Sequence, residues 1–372
     1  MRILVFSWRD PEHPLAGGAE QVMHEHMKGW LSAGHEVTLF SSRFKNSPKS
    51  ETLDGIKIIR DGCQYLGVQI KGFLFYLRNR KNYDFLVDQF HGIPFFTPLY
   101  SEKPRLAVIQ ETTREVWFLN PLPWPINWLV GMIGYIGEPF IFLFYRNTHF
   151  MTGSESAKID IVKLGIPVKN ITIVPHGVLV FKPSPFPQKE ARKTVTFLGV
   201  LSKDKGIESA LQCFSLLKNK GDFQYWVIGR PETEGYRRRI EDMVIKWQLQ
   251  DKVKFWGFVD QKKKFELLAR SHVLVNPSSR EGWGLVNIEA NSVGTPVVAY
   301  RSRGLVDSVK EGVSGVMAKS NDAKSLSDSI QSLLTGHYYA ALFKSSIKWA
   351  NNFTWKKSSQ ISVDLLEQMA KR

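Results

Sequence analysis

A chain of 372 residues is longer than one hydrophobic core comfortably serves and suits two domains. Its 43% hydrophobic and 23% charged residues exclude a disordered chain, and its two distant cysteines, Cys63 and Cys213, exclude a disulfide framework or metal spacing and fit a reducing cytosol. The net charge of +15 is uneven, since residues 1–180 hold 19 Lys and Arg against 16 Asp and Glu, and a basic second half suits phosphate-bearing ligands, nucleic acid or an anionic membrane.

Met1-Arg2 leads directly into Ile3-Leu4-Val5-Phe6, too short a run for the apolar region of a signal peptide, so none is expected. Residues 2–7 (RILVFS) read as a buried strand, 18–33 as an amphipathic helix and 36–40 (EVTLF) as a second strand. Strands follow at 56–60, 85–88 and 106–109. Next comes the most apolar part of the chain, WFLNPLPWPINWLVGMIGYIGEPFIFLFYR at 117–146, which approaches the roughly 20-residue length of a membrane span. Glu138-Pro139 interrupts it, and a span would set the strands on either side of it, which belong to one sheet, on opposite sides of a bilayer. Two readings stay open. One is a core helix with its neighbours. The other is a surface resting on a membrane, for which Trp117, Trp124 and Trp128 beside Arg114 and Arg146 are suited. Strands at 149–152 and 171–174 end the first series.

After Pro175-His176-Gly177, the breaker-rich stretch FKPSPFPQKEARK marks a linker. A second series of strands then runs through 194–199, 225–228, 253–255, 272–275 and 296–299, with helices between. Two such series predict an α/β protein of two doubly wound, Rossmann-like parallel-sheet domains facing a central cleft, with ligands at the carboxyl ends of the strands. The expected divisions are an N-terminal domain at 1–178, a linker at 179–192, a C-terminal domain at 193–348 and a helical tail at 349–372 packing back toward the first domain. Neither half carries Gly-x-Gly-x-x-Gly after its first strand, which argues against dinucleotide chemistry. A basic nucleic-acid-binding protein is the alternative from another class. It needs aromatic residues interleaved with basic ones, whereas most aromatic clusters here lie in the nearly neutral first half, so no nucleic acid is expected.

The segment SSREGWGLVNIEANSVGTPVVAY, 278–300, places a glycine-flanked loop between a strand and a helix expected at 285–293, which Gly294 is suited to end. Such a loop offers backbone N–H groups and the positive end of the helix dipole to an anion. Gly282 and Gly284 admit a phosphorylated ligand close to the backbone. Glu281 reaches from the loop, and Glu289 stands about one and a half turns into the helix. A carboxylate that accepts two hydroxyl hydrogen bonds recognises a diol, so the pair suits two sets of hydroxyls. The same pair also reads as two ordinary glutamates, one complementing the helix dipole and one on the surface.

Glu281 and Glu289 with seven residues between them, followed by Gly294-Thr295-Pro296-Val297-Val298 and Gly304-Leu305-Val306-Asp307, resemble the signature of glycosyltransferase family 4, retaining enzymes of the GT-B fold that use nucleotide-activated sugars. Further resemblances cover nearly the whole length: HPLAGGAEQVMHEHMKGWLSAGHEVTLFSS (13–42), SESAKIDIVKLGI (154–166), IVPHGV (173–178), FLGVLSKDKGIESAL (197–211) and WANNFTWKKSS (349–359). The resemblance implies that Glu289 holds the ribose hydroxyls of the donor and Glu281 a hydroxyl of the transferred sugar. Backbone amides around Gly282, Trp283, Gly284 and Leu285 would meet the sugar and diphosphate. Lys205 would neutralise the departing diphosphate, and Gly17 and Gly18 would let the first domain close over it. The implied donor is a UDP-, GDP- or ADP-sugar, with no metal, no further cofactor and no protein nucleophile required. The membrane-resting reading of 117–146, rather than the resemblance, brings the expectation of a glycan or lipid-linked acceptor and of peripheral association with an anionic membrane, at its cytoplasmic face given the cysteine usage.

The sequence departs from the family pattern in three places. Where Gly-Arg-Leu is common the chain has Gly199-Val200-Leu201, leaving Lys203 or Arg230 to supply a second cation. Where a histidine often follows the strand at 106–109 it has Gln110-Glu111. Gln110 is then the candidate donor of a hydrogen bond to the sugar or phosphate, and His91, Glu111 and Arg114 are candidates for the acceptor side. His176 and Leu179 stand where Asn and Asp are common, changes expected to concern the hinge. Within the fold, a nucleotide-sugar 2-epimerase or a donor-binding protein that no longer transfers is the alternative.

Overall fold

The computed structural model describes residues 1–371 apart from Tyr65, Pro121, Phe181, Lys182, His337, Tyr338 and the side chain of Leu119. Pro121 of the apolar stretch, Phe181 and Lys182 of the expected linker and Arg372 of the expected tail therefore lie outside the described residues. The chain divides into two compact units, one formed by 1–177 with 355–372 and the other by 178–354.

In the first unit, the described residues form eight strands: β1 (Arg2–Phe6), β2 (Glu36–Ser41), β3 (Ser50–Leu53), β4 (Ile56–Arg60), β5 (Phe85–Gln89), β6 (Arg105–Val108), β7 (His149–Thr152) and β8 (Ile171–Ile173). They lie in the order β3-β4-β2-β1-β5-β6-β7-β8, all parallel except β3, which pairs antiparallel with β4. The helices are α1 (Gly18–Ser32), α2 (Gly67–Asn79), α3 (Ile126–Phe144), α4 (Glu155–Lys163) and, from the end of the chain, α12 (Trp355–Ala370). Alternation along each strand sorts them into layers. Ile3 and Val5 pack with Met23, Met27 and Trp30 of α1 and Leu366 of α12, while Leu4 and Phe6 pack with Val68 and Tyr76 of α2. Phe142 of α3 joins Phe90, Ala107 and Phe150, so α2 and α3 cover the face opposite α1 and α12.

The second unit holds β9 (Lys193–Leu198), β10 (Phe223–Ile228), β11 (Val253–Gly257), β12 (Val273–Asn276), β13 (Val297–Ala299) and β14 (Gly315–Met317), in the order β11-β10-β9-β12-β13-β14 with parallel pairing throughout. Its helices are α5 (Ile207–Leu217), α6 (Glu234–Lys246), α7 (Gln261–Arg270), α8 (Leu285–Ser292), α9 (Leu305–Ser308), α10 (Ala323–Thr335) and α11 (Tyr339–Ala350). In each sheet the chain turns from one direction of strand addition to the other. The change falls between β1 and β5 in the first and between β9 and β12 in the second. Loops leaving the carboxyl ends of two such strands diverge and leave a crevice.

Four expectations change. β3 and β14 carry no pattern that marks them, because SETL is polar at a sheet edge and GVM is three residues long. Residues 178–180 and 183–192 cluster with the second unit rather than standing apart: Glu190 N donates to Arg270 O at 3.0 Å, and Lys189 Nζ donates to Thr295 Oγ1 at 2.8 Å, with burial lowering the lysine pKa to about 7. The tail divides at 354. Trp349 and Phe353 pack with Trp283 of the second unit, while α12 lies on α1, where Ser362 Oγ meets His26 Nδ1 at 3.0 Å and Trp30 Nε1 at 3.1 Å. The core-helix reading of the apolar stretch gives way as well. Of α3 only Gly131, Glu138 and Phe142 are buried, because a helix in an outer layer needs just one inward stripe.

Candidate active site

Lys205 follows β9 and Glu281 follows β12, so the two side chains rise on either side of the strand-order change in the second unit. Their Nζ and Oε1 atoms lie 2.9 Å apart, with side chains 29% and 17% exposed, so solvent screening is only partial. Two glycines clamp the loops that carry them. Gly206 has φ +74°, and a Cβ there would lie 2.2 Å from Pro277 O. A Cβ on Gly304 would lie 2.0 Å from Glu281 O. Ser279 N also donates to Asp204 O at 2.9 Å, which ties the two loops together.

Beneath this pair runs a buried polar chain absent from the sequence reading. Asn276 Nδ2 donates to Asn287 Oδ1 at 2.8 Å, and Asn287 Nδ2 donates to Ser308 Oγ at 2.9 Å. The Ser278 hydroxyl lies 2.8 Å from Asn276 Oδ1 and 3.1 Å from Glu281 Oε1 and donates its one proton to one of them. Asn276, Ser278, Asn287 and Ser308 are all buried, so each unmet bond would cost the desolvation of its group. The signal was an asparagine two residues before Glu289 in an apolar run, where only a fixed partner justifies it.

The loop then enters α8 through Gly284, whose φ of +85° favours glycine, and among the described residues no side chain caps the helix. Trp283 resolves the oddity of an indole between glycines. It is buried with Ile288 and Val178 and meets Phe353 edge-on at 5.2 Å, so its side chain anchors the loop, and Leu285 packs against the same cluster. Glu289 pairs with Lys264 of α7 at 2.6 Å, with both side chains nearly buried. Lys264 was legible only as part of a basic run. Lys203 is exposed, Arg230 lies over the Phe258 ring at 4.4 Å, and Val200 is 46% exposed.

In the first unit the corresponding crevice opens between the loops after β1 and β5. The loop after β1 is fixed by Asp10, which accepts from Arg60 Nε at 2.7 Å, Arg60 Nη2 at 2.8 Å and Ser41 Oγ at 2.8 Å. Burial pushes the Asp10 pKa up, but those hydrogen bonds outweigh it and the carboxyl sits below its usual value. Gly17 N donates to Glu20 Oε2 at 2.7 Å. With φ −136° and nothing nearer than 3.8 Å to an added Cβ, neither backbone nor packing demands glycine at 17. Gly17 and Gly18 are both exposed.

A cavity of about 200 Å³ lies there, lined by Trp8, Gln69, His91, Thr113, Trp117 and Asn120 among others. His91 thus reaches a cavity, its ring 6.3 Å from that of Trp8. Gln69 Oε1, Thr113 Oγ1 and Trp117 Nε1 are buried with no hydrogen-bond partner among the described residues. The same holds for Oε1 of Gln110, which follows β6, and Glu111 beside it is half-buried. Arg114 is drawn to α3 instead: it lies 4.3 Å over the Tyr135 ring and donates to its hydroxyl at 2.9 Å. No pattern in the sequence grouped Trp8, Gln69, Thr113 and Trp117, which come from three separate segments.

Solved structures share this architecture. Sucrose-phosphate synthase from Thermosynechococcus elongatus matches with a TM-score of 0.80 at 20% identity, over 99% of this chain and 98% of that one. HepE of Anabaena, solved with UDP and glucose, matches with a TM-score of 0.71 at 15% identity, over 99% of this chain and 100% of that one. The fold is GT-B. Residues 181–351 match the family described as glycosyl transferases group 1, so the second unit carries a glycosyltransferase domain. Among curated relatives, CapM of Staphylococcus aureus, a capsular polysaccharide biosynthesis glycosyltransferase, is 28% identical over 149 residues, 38% of this chain and 36% of the relative. The chain spans about a third to a half of the length of the curated relatives it matches.

Proposed function

We propose that this chain is a retaining glycosyltransferase of family 4 that moves a sugar from a nucleoside-diphosphate sugar to a glycan or lipid-linked acceptor. The Lys205–Glu281 pair, set across the strand-order change and held at 2.9 Å, carries the reading. Lys205 has three N–H donors. Glu281 orients the ammonium, whose positive charge, with the amides that follow Gly284, stabilises the charge growing on the departing diphosphate. A divalent ion is not needed for that step. The second oxygen of Glu281 is left for a sugar hydroxyl, and Glu289, steadied by Lys264, takes the ribose hydroxyls. The acceptor oxygen bonds to the anomeric carbon as the carbon–phosphate oxygen bond breaks on the same face, and the hydroxyl proton leaves with the nucleoside diphosphate. In the first unit, the cavity beside His91, with its indoles and unmet polar atoms, suits a hydroxyl-bearing acceptor.

Exposed Val200, where the family commonly has arginine, favours a second reading, a GT-B protein that binds donor without transferring. One experiment separates them. A panel of UDP-, GDP- and ADP-sugars should raise the melting temperature with one base by mass action. That donor, with glycan and lipid-extract acceptors, should then yield nucleoside diphosphate and a product of unchanged anomeric configuration. If no nucleotide sugar binds, the proposal falls; binding without transfer to any acceptor selects the second reading.

A further inference from the structure

α3 displays an outward stripe at Ile126, Leu129, Ile133, Ile136, Phe140 and Leu143, a spacing of three and four residues along one helix face. Each is more than half exposed, with Ile133 at 64% and Phe140 at 61%. The sole carboxylate of the helix, Glu138, points inward, where it accepts from the backbone N–H of Thr113 and of Arg114 at 2.7 Å each. The outer surface of α3 is therefore without charge. Trp124, 82% exposed, and Trp128 stand at its start, and Arg146 is exposed just past its end.

The apolar surface continues onto α2, which covers the same face of the sheet. Leu66, Ile70, Leu74 and Leu77 are exposed along one side of that helix. Lys71, Arg78, Arg80 and Lys81 are exposed beside them, and the segment 66–81 has no acidic residue. Between the helices the loop after β5 joins the layer, with Phe96 against Phe144 at 6.1 Å and Leu99 exposed. Helical spacing of this kind also suits a second helix, but such a partner calls for charged residues flanking the stripe, and α3 has none on its outer side. A bilayer explains both halves of the pattern, acyl chains meeting α3 and anionic headgroups meeting the basic edge of α2. Crossing the bilayer is excluded, because β6 and β7, on either side of α3, pair in one sheet.

We infer that the α2–α3 face of the first unit lies on an anionic lipid bilayer, with α3 in the interface plane. The test is co-sedimentation of the full chain with vesicles of phosphatidylcholine alone or with 30% phosphatidylglycerol as probe, read without any sugar transfer, so its outcome is separable from that of the transferase proposal. The unmodified protein should pellet with the anionic vesicles. I133E/F140E should lose at least tenfold in partitioning with an unchanged melting temperature, since both positions are exposed. K71E/R78E should lose binding to anionic vesicles only, and raised salt should mimic it. Equal partitioning of the unmodified chain and I133E/F140E overturns the inference, as does binding to neither vesicle. It is also overturned if the lipid-free protein is a dimer that I133E/F140E makes monomeric while vesicle binding stands, which would make the face a contact between copies.

Discussion

The two strand-order crevices differ in how their polar groups are settled. In the second unit Lys205, Glu281, Lys264 and Glu289 are paired, and a buried chain of Asn276, Asn287 and Ser308 holds the loop under them. In the first unit Gln69, Thr113 and Trp117 line a cavity and each holds a buried polar atom without a partner among the described residues. A site that stabilises growing charge needs its groups fixed before the ligand arrives. A site that reads hydroxyls can leave its hydrogen bonds for the ligand to complete, at a cost in the empty protein.

That contrast is broken most directly at Lys205. Lys205→Ala should lower turnover by about 10²–10³-fold, the scale of losing one donor to transition-state charge, while weakening donor binding far less. Comparable losses in kcat and donor affinity would mean that the lysine holds the ground state only. A smaller effect is expected at the glutamates, where glutamine variants keep Lys264 and Lys205 hydrogen-bonded. Glu289→Gln should weaken free nucleotide by about 1.5–3 kcal/mol, the range for a bond to a charged group, and Glu281→Gln should spare it. Titration of both variants with nucleoside diphosphate checks this, and equal affinities would dissolve the assigned division of roles.

The positions legible in sequence are those where chemistry restricts the residue type. Glu281, Glu289 and Lys205 stood out through resemblance to such a motif, and most strands lie in runs whose burial on both faces leaves a continuous apolar signature, as in Ile3-Leu4-Val5-Phe6. The supporting chain left one signal, Asn287 in an apolar run, but asparagine and serine also serve in turns and caps, and only tertiary placement makes Asn287 a bridge between Asn276 and Ser308. α3 was ambiguous for a different reason. Apolar composition says that a surface avoids water and does not say what covers it. The structure adds the position of Glu138, whose carboxylate turns inward and leaves the outer side of the helix without charge.

Asn287→Leu sharpens the comparison from the side of stability. It removes one bridge, leaves the Asn276 Nδ2 donor unmet and takes from Ser308 Oγ the bond it accepts, while that hydroxyl keeps its contact with Gly304 O at 3.2 Å, so thermal or urea unfolding should show a loss of about 1–3 kcal/mol. Turnover should fall as well, because Asn276 helps to place Ser278 under Glu281. Unchanged stability would show that the bridge is dispensable and that the loops are held by their glycine contacts alone.

The mirror experiment in the first unit should have the smallest effect and the opposite sign. Thr113 Oγ1 is buried and without a partner among the described residues, while its backbone N–H donates to Glu138 Oε1 at 2.7 Å. Thr113→Val keeps that backbone bond and nearly the same volume while removing the unmet hydroxyl. Replacing an unsatisfied buried polar atom with an apolar one should leave stability unchanged or raise it by up to about 1 kcal/mol. If the cavity receives the acceptor, the same variant should raise the KM for acceptor several-fold and leave the affinity for nucleotide sugar alone. A gain in stability with unaltered acceptor kinetics would leave the hydroxyl as a packing defect and remove Thr113 from the site. A stability loss above 1 kcal/mol would mean that Oγ1 has a partner in solution, such as a bound water, and that the two crevices are settled alike.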